Sequence, residues 1–494
     1  MKNRLLYIPL VITSVIAALS IFSVFRAGEI MGIGFKQINI FSDIMPYFAD
    51  DFSCLVRGDS LPKRGKSDII VVNIADTTVL RQSDVASQDS LTIADSLGLI
   101  IPNLSDSIIY DTKIHDYSEG GKMKQRLIRA LLNAEKQPMH IAVIGDSFIE
   151  GDIMVMDLRT LLQKRFSGAG VGFVPITSPA SRYRITVEHK HSNDWSVDKI
   201  NTKPTEGKYL LSGTIFSPAE GSWVEYKTKT SFKKYSNTTT KAQLLFINRD
   251  SVEIKVILND SNDTITYHPE SSDRLQAITI NQPIEKIKYL FHNVKGASLY
   301  GAILESDTAG VGVDNYSLRG NSGLTMSHIS PELSREYSAI RDYDLIIIEY
   351  GLNIVNPKVK DYKDYDKRFI NIINHIKSCY PETPILLMSV AERSTLNQGK
   401  AEIMDGLTEF NQQQQLAAIG SKVLFWNTLQ VMQNLGGMSK FTEKGWAAKD
   451  YTHLTASGGE IIATELFKAM TDFNLADFIP ADTTTLESIE TIEQ

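Results

Sequence analysis

A serine, an aspartate and a histidine stand in short motifs that together could carry out acyl-group chemistry. Ser147 ends the tripeptide Gly145-Asp146-Ser147, which follows an apolar run and precedes a helical pattern. Asp450 and His453 are three residues apart, just before the last helical pattern. A serine becomes a nucleophile when a neighbouring base takes its proton, and the base needs a third group to fix its orientation. The sequence predicts Ser147 as the nucleophile and Asp450 with His453 as its base.

Two further positions are candidate donors for the oxyanion of an attacked ester. Asn353 follows Gly351 at the end of the apolar run 344–350, and Gly323 closes the glycine-rich stretch 319–323. Donors held in place before the reaction stabilise such an oxyanion. Taken singly, each motif also has an ordinary interpretation as a turn, because Gly, Asp, Asn and Ser favour turns for backbone reasons. The prediction therefore depends on the order of the motifs and on their shared position at strand ends.

Alternating strands and helices are expected to bring these motifs to one edge of a parallel sheet. Nearly continuous apolar strands between amphipathic helices are typical of a sheet that is covered on both faces. Open sheets of this kind bind ligands at the carboxyl ends of their strands. A capping-box pattern at Ser457 and Glu460 is expected to fix the loop that carries His453. The predicted strands are 139–144, 344–350, 384–390 and 423–426, and the predicted helices are 122–135, 153–166, 369–376, 406–419 and one that begins at 457.

Between residues 185 and 305 the pattern changes to short β-branched and aromatic segments separated by Gly, Ser, Asn and Asp. Regular short strands with turn signals predict an all-β sandwich. Strands of the αβ part occur on both sides of this region, so the sandwich is expected to be an insertion. The predicted strands of the insertion are 209–216, 223–230, 243–248, 252–258, 276–280 and 286–291.

The N-terminus combines positive charge with an apolar segment. Lys2 and Arg4 precede the apolar residues 5–25, and Arg26 follows them. A helix of this length could cross a hydrocarbon core of about 30 Å. We predict an uncleaved signal anchor, with the rest of the chain outside the cytoplasm. Removal of the segment as a signal peptide, which would give a secreted protein, is the alternative.

Composition excludes some functions. With 51 basic and 58 acidic residues the net charge is −7, which disfavours a nucleic-acid partner. Cys54 and Cys379 cannot build a disulfide framework, although one bridge between them remains open, and no Cys/His spacing predicts a zinc site. Neither a metal nor a cofactor is predicted, and metal catalysis at Asp450 and His453 is disfavoured because no further ligands cluster nearby.

The four motifs at Ser147, Gly323, Asn353 and Asp450/His453 resemble the four blocks of the SGNH (GDSL-like) hydrolase superfamily. The resemblance covers residues 139–184 and 306–472. It implies a flavodoxin-like three-layer αβα fold and a Ser147–His453–Asp450 triad. It also implies an oxyanion hole made by the backbone N–H groups of Ser147 and Gly323 and by the Asn353 amide.

A narrower resemblance concerns the stretches GDSFIEGD, AGVGFVP and GWAAKDYTHLTASGG, which are similar to those of periplasmic peptidoglycan O-acetylesterases. Those enzymes carry a carbohydrate-binding-like β module between the first two blocks, where this chain has its insertion. The resemblance implies removal of O-acetyl groups from an acetylated envelope polysaccharide through an acyl-serine. With the anchor, it implies a single-pass inner-membrane protein whose catalytic domain is periplasmic.

Two other functions remain open: an O-acetyltransferase that receives acetyl groups from a membrane-bound acyltransferase, and a non-catalytic glycan-binding scaffold. The predicted organisation is a signal anchor over 1–30, a stalk or linker over 31–113, the hydrolase domain over 114–184 and 306–475, the β insertion over 185–305, and a disordered acidic tail over 476–494.

Overall fold

The computed structural model describes residues 108–473, except 203, 205–207, 230, 233–234, 237, 360 and 399, and a hairpin near the N-terminus. The chain divides into two compact units, 1–101 and 102–494. In the first unit, β1 (Gly28–Ile30) pairs antiparallel with β2 (Ile33–Phe35). The apolar run 5–25, most of the predicted stalk 31–113, Cys54 and the tail 476–494 lie outside the described residues. No helix of the described residues is long and apolar enough to span a membrane.

The second unit contains a mixed sheet in the spatial order β18-β4-β19-β20-β23-β3. All neighbours are parallel except β23 and β3, which are antiparallel. Numbered along the chain, the parallel strands lie in the order 2-1-3-4-5, so the sheet is the flavodoxin-like one that was predicted. Its strands are β3 (His115–Asp116), β4 (Pro138–Gly145), β18 (Gly310–Ser317), β19 (Leu345–Glu349), β20 (Ile385–Met388) and β23 (Leu424–Trp426).

Helices cover this sheet, and the pattern of burial explains why its strands are apolar throughout. Every residue of β19 is buried, as expected for a central strand with both faces covered. The helices are α1 (Lys122–Asn133), α2 (Val155–Phe166), α3 (Pro331–Ser338), α4 (Tyr365–Cys379), α5 (Leu407–Ser421), α6 (Thr428–Asn434), α7 (Gly437–Glu443) and α8 (Ala456–Thr471). Helix α2 packs on α8, and α4 packs on α5.

The inserted region forms two antiparallel sheets that share a hydrophobic core of their own. One sheet has the order β15-β12-β17-β8-β7, with β5 also paired to β17, and the other has the order β14-β13-β16-β9-β6. Their strands are β5 (Gly170–Val174), β6 (Val187–His191), β7 (Ser196–Lys199), β8 (Thr214–Ser217), β9 (Trp223–Thr228), β12 (Thr239–Asn248), β13 (Glu253–Leu258), β14 (Thr264–Tyr267), β15 (Ser272–Ile284), β16 (Lys286–His292) and β17 (Ala297–Glu305). Two hairpins, β10 (Ser231–Phe232) with β11 (Tyr235–Ser236) and β21 (Ser394–Asn397) with β22 (Lys400–Ile403), stand apart from these sheets.

Strand β5 links the two parts of the unit. It precedes residue 185, where the insertion was predicted to begin, yet it pairs antiparallel with β17 of the inserted sheet. Gly172 permits this position: its φ is +69°, and a Cβ there would lie 2.4 Å from the Val313 carbonyl oxygen in β18. Phe173 belongs to the core of the αβ sheet and Val174 to the core of the sandwich. The domain boundaries themselves stay a prediction.

The strand predictions within the insertion were incomplete. The strand expected at 209–216 is β8 only from Thr214, because Tyr209 instead forms an isolated bridge to Ile329. Strands β6, β7, β14 and β17 were not predicted. In β14 the residues are exposed or half-buried, so the strand lacks the apolar alternation that marks a half-buried strand.

Candidate active site

The structure brings Ser147, His453 and Asp450 into one hydrogen-bonded chain. Ser147 Oγ lies 3.2 Å from His453 Nε2, and His453 Nδ1 lies 2.7 Å from Asp450 Oδ2. Ser147 stands directly after β4, at the carboxyl edge of the sheet. The side chains of His453 and Asp450 are 47% and 49% exposed, so the site opens to solvent. The arrangement is that of a nucleophile, a base and a carboxylate that orients the base.

The Asp450 carboxylate also organises the loop that carries the histidine. Its Oδ1 accepts the backbone N–H groups of Thr452 and His453, each at 3.0 Å. Partial burial favours the neutral carboxyl, but hydrogen bonds from the His453 ring and from these backbone groups outweigh it and lower the pKa of Asp450. An ionised Asp450 can therefore hold the imidazole and would stabilise an imidazolium if His453 accepted a proton from Ser147.

The cap that anchors this loop differs from the predicted one. Helix α8 begins at Ala456, and its N-cap is Thr455, whose Oγ1 accepts the Gly458 N–H at 3.4 Å. The expected capping box of Ser457 and Glu460 is wrong, because Ser457 already lies inside the first turn. Thr455 has the extended backbone that an N-cap requires, with φ −85° and ψ 173°. Its hydroxyl also donates to the Gly445 carbonyl at 2.7 Å, which ties both ends of the loop together.

Asp146 holds the turn that contains Ser147. It is fully buried, and its Oδ1 accepts the Phe148 N–H at 2.9 Å across Ser147. Its Oδ2 accepts a hydrogen bond of 2.7 Å from the Asn353 side-chain amide. Gly145 is required just before it, because a Cβ there would come within 2.9 Å of the Glu349 carbonyl oxygen. Asp146 therefore connects the serine turn to the end of β19.

Gly323 and Asn353, the other two predicted oxyanion donors, both hydrogen-bond to Asn321, which was not predicted from the sequence. The side chain of buried Asn321 accepts the Gly323 N–H at 3.0 Å, and its backbone carbonyl accepts the Asn353 amide at 3.1 Å. Gly323 has φ +83°, and a Cβ there would lie 2.7 Å from the Tyr350 ring. Both Asn353 amide hydrogens are thus engaged within the protein, by Asp146 and by Asn321. The roles of Ser147, Gly323 and Asn353 as oxyanion donors stay predictions.

A second buried carboxyl lies beneath the serine turn. Glu349 ends β19 and is fully buried. Burial raises its pKa well above 4.5 and the nearby Asp146 charge raises it further, while a hydrogen bond from the Asp146 backbone N–H acts in the opposite direction. Burial likewise raises the pKa of Asp146 to about 6, although hydrogen bonds from Phe148 and Asn353 act in the opposite direction. The only signal in the sequence is an acidic residue at the end of an otherwise apolar strand.

A buried ion cluster fixes the loop that follows Ser147. Asp152 accepts two hydrogen bonds from Arg159 on α2, at 2.8 and 3.0 Å, and Arg184 Nε lies 3.4 Å away. Thr186 and Asn315 complete the cluster. Burial alone would raise the pKa of Asp152, but the two guanidinium groups hold it well below its usual range. In the described ranges, no three His, Cys, Asp or Glu side chains are grouped as metal ligands.

The sheet order is the flavodoxin-like one that the resemblance implies, and Ser147 follows its first parallel strand. The solved structure described as "Peptidoglycan O-acetylesterase in action" is similar, with a TM-score of 0.57 and 18% identity over 72% of this chain and 97% of that one. At this identity the similarity shows the fold.

Other solved structures superpose much less well. A family two carbohydrate esterase from Cellvibrio japonicus has a TM-score of 0.23 and 12% identity over 57% of this chain and 98% of that one. A lipase/acylhydrolase from Enterococcus faecalis has a TM-score of 0.25 and 14% identity over 32% and 75%. These scores are too low to support an argument. No family model matches the sequence, and no curated protein matches it.

Proposed function

We propose that this protein is a serine carbohydrate esterase that removes O-acetyl groups from a cell-envelope polysaccharide, with peptidoglycan as the expected substrate. The proposal depends on one observation: Ser147, His453 and Asp450 form a hydrogen-bonded chain that is open to solvent at the carboxyl edge of the sheet. The similar solved structure is described as a peptidoglycan O-acetylesterase, which supports this choice of substrate.

In the proposed reaction, His453 Nε2 takes the Ser147 hydroxyl proton while Ser147 Oγ attacks the acetyl carbonyl carbon. The N–H groups of Ser147 and Gly323 and the Asn353 amide are the proposed donors to the resulting oxyanion. Gly323 and Asn353 must then release or share the hydrogen bonds that they make to Asn321 and Asp146. The carbon–oxygen bond to the sugar then breaks, and His453 gives the proton to the leaving sugar oxygen. In the second half, His453 takes a proton from water as the water oxygen attacks the acetyl-serine carbonyl. The bond between that carbon and Ser147 Oγ breaks, His453 gives the proton to Oγ, and acetate leaves.

Acetate release tests this function. The full-length protein should release acetate from O-acetylated peptidoglycan faster than from acetylated xylan, and Ser147→Ala should abolish release from both. Ser457→Ala is the matched control, because Ser457 has an exposed hydroxyl close in sequence to His453 but is not part of the triad. If Ser147→Ala retains wild-type acetate release, the esterase proposal fails. If it also leaves every phenotype unchanged, the glycan-binding scaffold is the better description.

An O-acetyltransferase is the second candidate, and the apolar run 5–25 favours it because a membrane location would place the site near a membrane-bound acetyl donor. Here a sugar hydroxyl, instead of water, would attack the acetyl-serine. Adding an unacetylated glycan acceptor separates the two functions. Transfer of labelled acetyl to that acceptor supports the transferase, whereas unchanged release of free acetate supports the esterase.

We propose that the protein is exported and held in the inner membrane with residues from 27 onward on the periplasmic side. Lys2, Arg4 and the apolar run support this orientation. A C-terminal tag should be cleaved by protease added to spheroplasts and should sediment with membranes. A tag that is protected from protease contradicts export, and a soluble periplasmic tag supports signal-peptide cleavage.

A further inference from the structure

Tyr183 presents an exposed aromatic ring beside the loop that follows the nucleophile. Its 74% exposure is the highest among the exposed large apolar side chains of the described residues. Its Cβ lies 3.6 Å from the position that a Cβ on Gly151 would occupy, so the tyrosine packs directly over that glycine. An apolar ring that is so exposed contributes little to a hydrophobic core.

The segment that joins Ser147 to Gly151 is short and tightly folded. The Glu150 N–H donates to the Ser147 carbonyl oxygen at 3.4 Å, which closes a turn over residues 147–150. Gly151 therefore follows directly after the turn that begins at Ser147, and Tyr183 packs against the end of that turn.

The backbone beneath Tyr183 is held firmly, unlike that of a flexible surface loop. The N–H groups of Tyr183 and Arg184 both donate to the Ala180 carbonyl, at 2.9 and 3.2 Å. The next side chain, Arg184, donates to the carbonyls of Phe173 and Val171 at 2.9 Å each and lies against buried Asp152. The same carboxylate that fixes the catalytic loop thus fixes the support of Tyr183.

We propose that the Tyr183 ring is a stacking surface for a sugar unit next to the acetylated one, so that the site selects an oligosaccharide or polymer over a small acetyl ester. This inference rests on the proposed esterase function. The C–H face of a pyranose is apolar and flat enough to cover an aromatic ring. A tyrosine offers that surface at low entropic cost because only two side-chain torsions must be fixed. The rigid support reduces the cost of binding further.

Steady-state kinetics of the full-length protein on two kinds of substrate test the inference. For acetylated tetrasaccharides, Tyr183→Ala should raise KM about tenfold, the size expected when apolar contact with one aromatic ring is lost. On p-nitrophenyl acetate, kcat/KM should stay within about twofold of wild type. Tyr183→Trp should restore the low KM for the tetrasaccharide. Tyr110→Ala removes another exposed tyrosine, on a different element, and should leave both substrates unaffected.

The outcomes separate this inference from the proposed function. Wild-type protein that hydrolyses no acetyl ester contradicts the esterase function itself. If the wild-type protein is active and Tyr183→Ala leaves the KM for the tetrasaccharide unchanged, only the stacking surface is overturned. The exposed ring would then be a docking surface for a protein or a membrane. Equal losses on both substrates would also overturn it, since they would show that Tyr183 supports the catalytic loop.

Discussion

The Asn353 side-chain amide donates a hydrogen bond of 2.7 Å to Asp146, the residue directly before Ser147. One buried carboxylate therefore holds the serine turn through the Phe148 N–H and orients a candidate oxyanion donor at the same time. The proposed nucleophile Ser147 and this candidate donor follow different strands, so their relative position depends on this contact. Replacing either Asp146 or Asn353 should raise the free energy of the transition state more than it weakens substrate binding.

Replacing Asn353 tests its role as a donor. Asn353→Ala should lower kcat on p-nitrophenyl acetate about 10²–10³-fold while KM changes little, because the amide would act mainly on the transition-state oxyanion. Asn356→Ala replaces a nearby half-buried asparagine whose side chain accepts only the Lys358 N–H, and it should retain wild-type kinetics. A rise in KM with an unchanged kcat would contradict the oxyanion role.

Asp450 should act through the histidine tautomer. Asp450→Asn keeps a side chain of the same size but presents an amide to His453 Nδ1, so kcat should fall by about 10⁴-fold. Asp361→Asn is the matched control, because Asp361 also accepts a backbone N–H two residues on and is exposed. Burst kinetics and the melting temperature should be measured for both variants. A loss of activity that merely follows a loss of folded protein would argue against a tautomer effect.

The buried Glu349 predicts a pH-dependent stability. Its folded pKa is raised above 4.5, so its contribution to stability is fully present below that pH and is lost as the pH rises. Glu349→Gln removes the cost of keeping this carboxyl buried and should raise the melting temperature at about pH 8 by about 2 °C or more. The difference should shrink toward pH 4.5.

Exposed Glu443, at the end of α7, provides the control for this effect. Glu443→Gln should give a curve of melting temperature against pH that runs parallel to that of the wild type. Asp146, whose pKa is about 6, remains in both variants and gives them the same additional loss of stability as the pH rises through that value. If Glu349→Gln also runs parallel to the wild type, Glu349 does not carry a strongly raised pKa.

The two hydroxyls at the start of α8 should contribute unequally. Thr455→Ala should lower the free energy of unfolding by about 1 kcal/mol, the usual value of an N-cap, and should reduce kcat because the cap also ties the His453 loop to Gly445. Ser457→Ala should change neither quantity measurably. Urea unfolding and steady-state kinetics check both variants. Equal effects of the two substitutions would indicate that Ser457 also caps the helix, as the sequence predicted.

The sequence by itself determined four of the six strands that the structure describes in the αβ sheet, all except β3 and β18, and the types of residue at the carboxyl edge. Apolar runs with helical patterns between them are local signals, and they located β4, β19, β20 and β23 within a few residues. The motif containing Ser147 and the pair Asp450/His453 could be recognised because each lies beside such an element. That these residues meet, 306 positions apart for Ser147 and His453, followed from the parallel order of the strands.

Only the tertiary structure decided the contacts that surround these residues. The partners of Asp146, Asn321 and Glu349 come from other strands and loops, and no local pattern encodes which buried polar group faces which. Strand β5 joined the inserted sheet for the same reason: its pairing with β17 depends on two cores meeting at Gly172. Local sequence sets propensity and exposure, whereas hydrogen bonds between distant buried groups depend on how the packed elements approach one another.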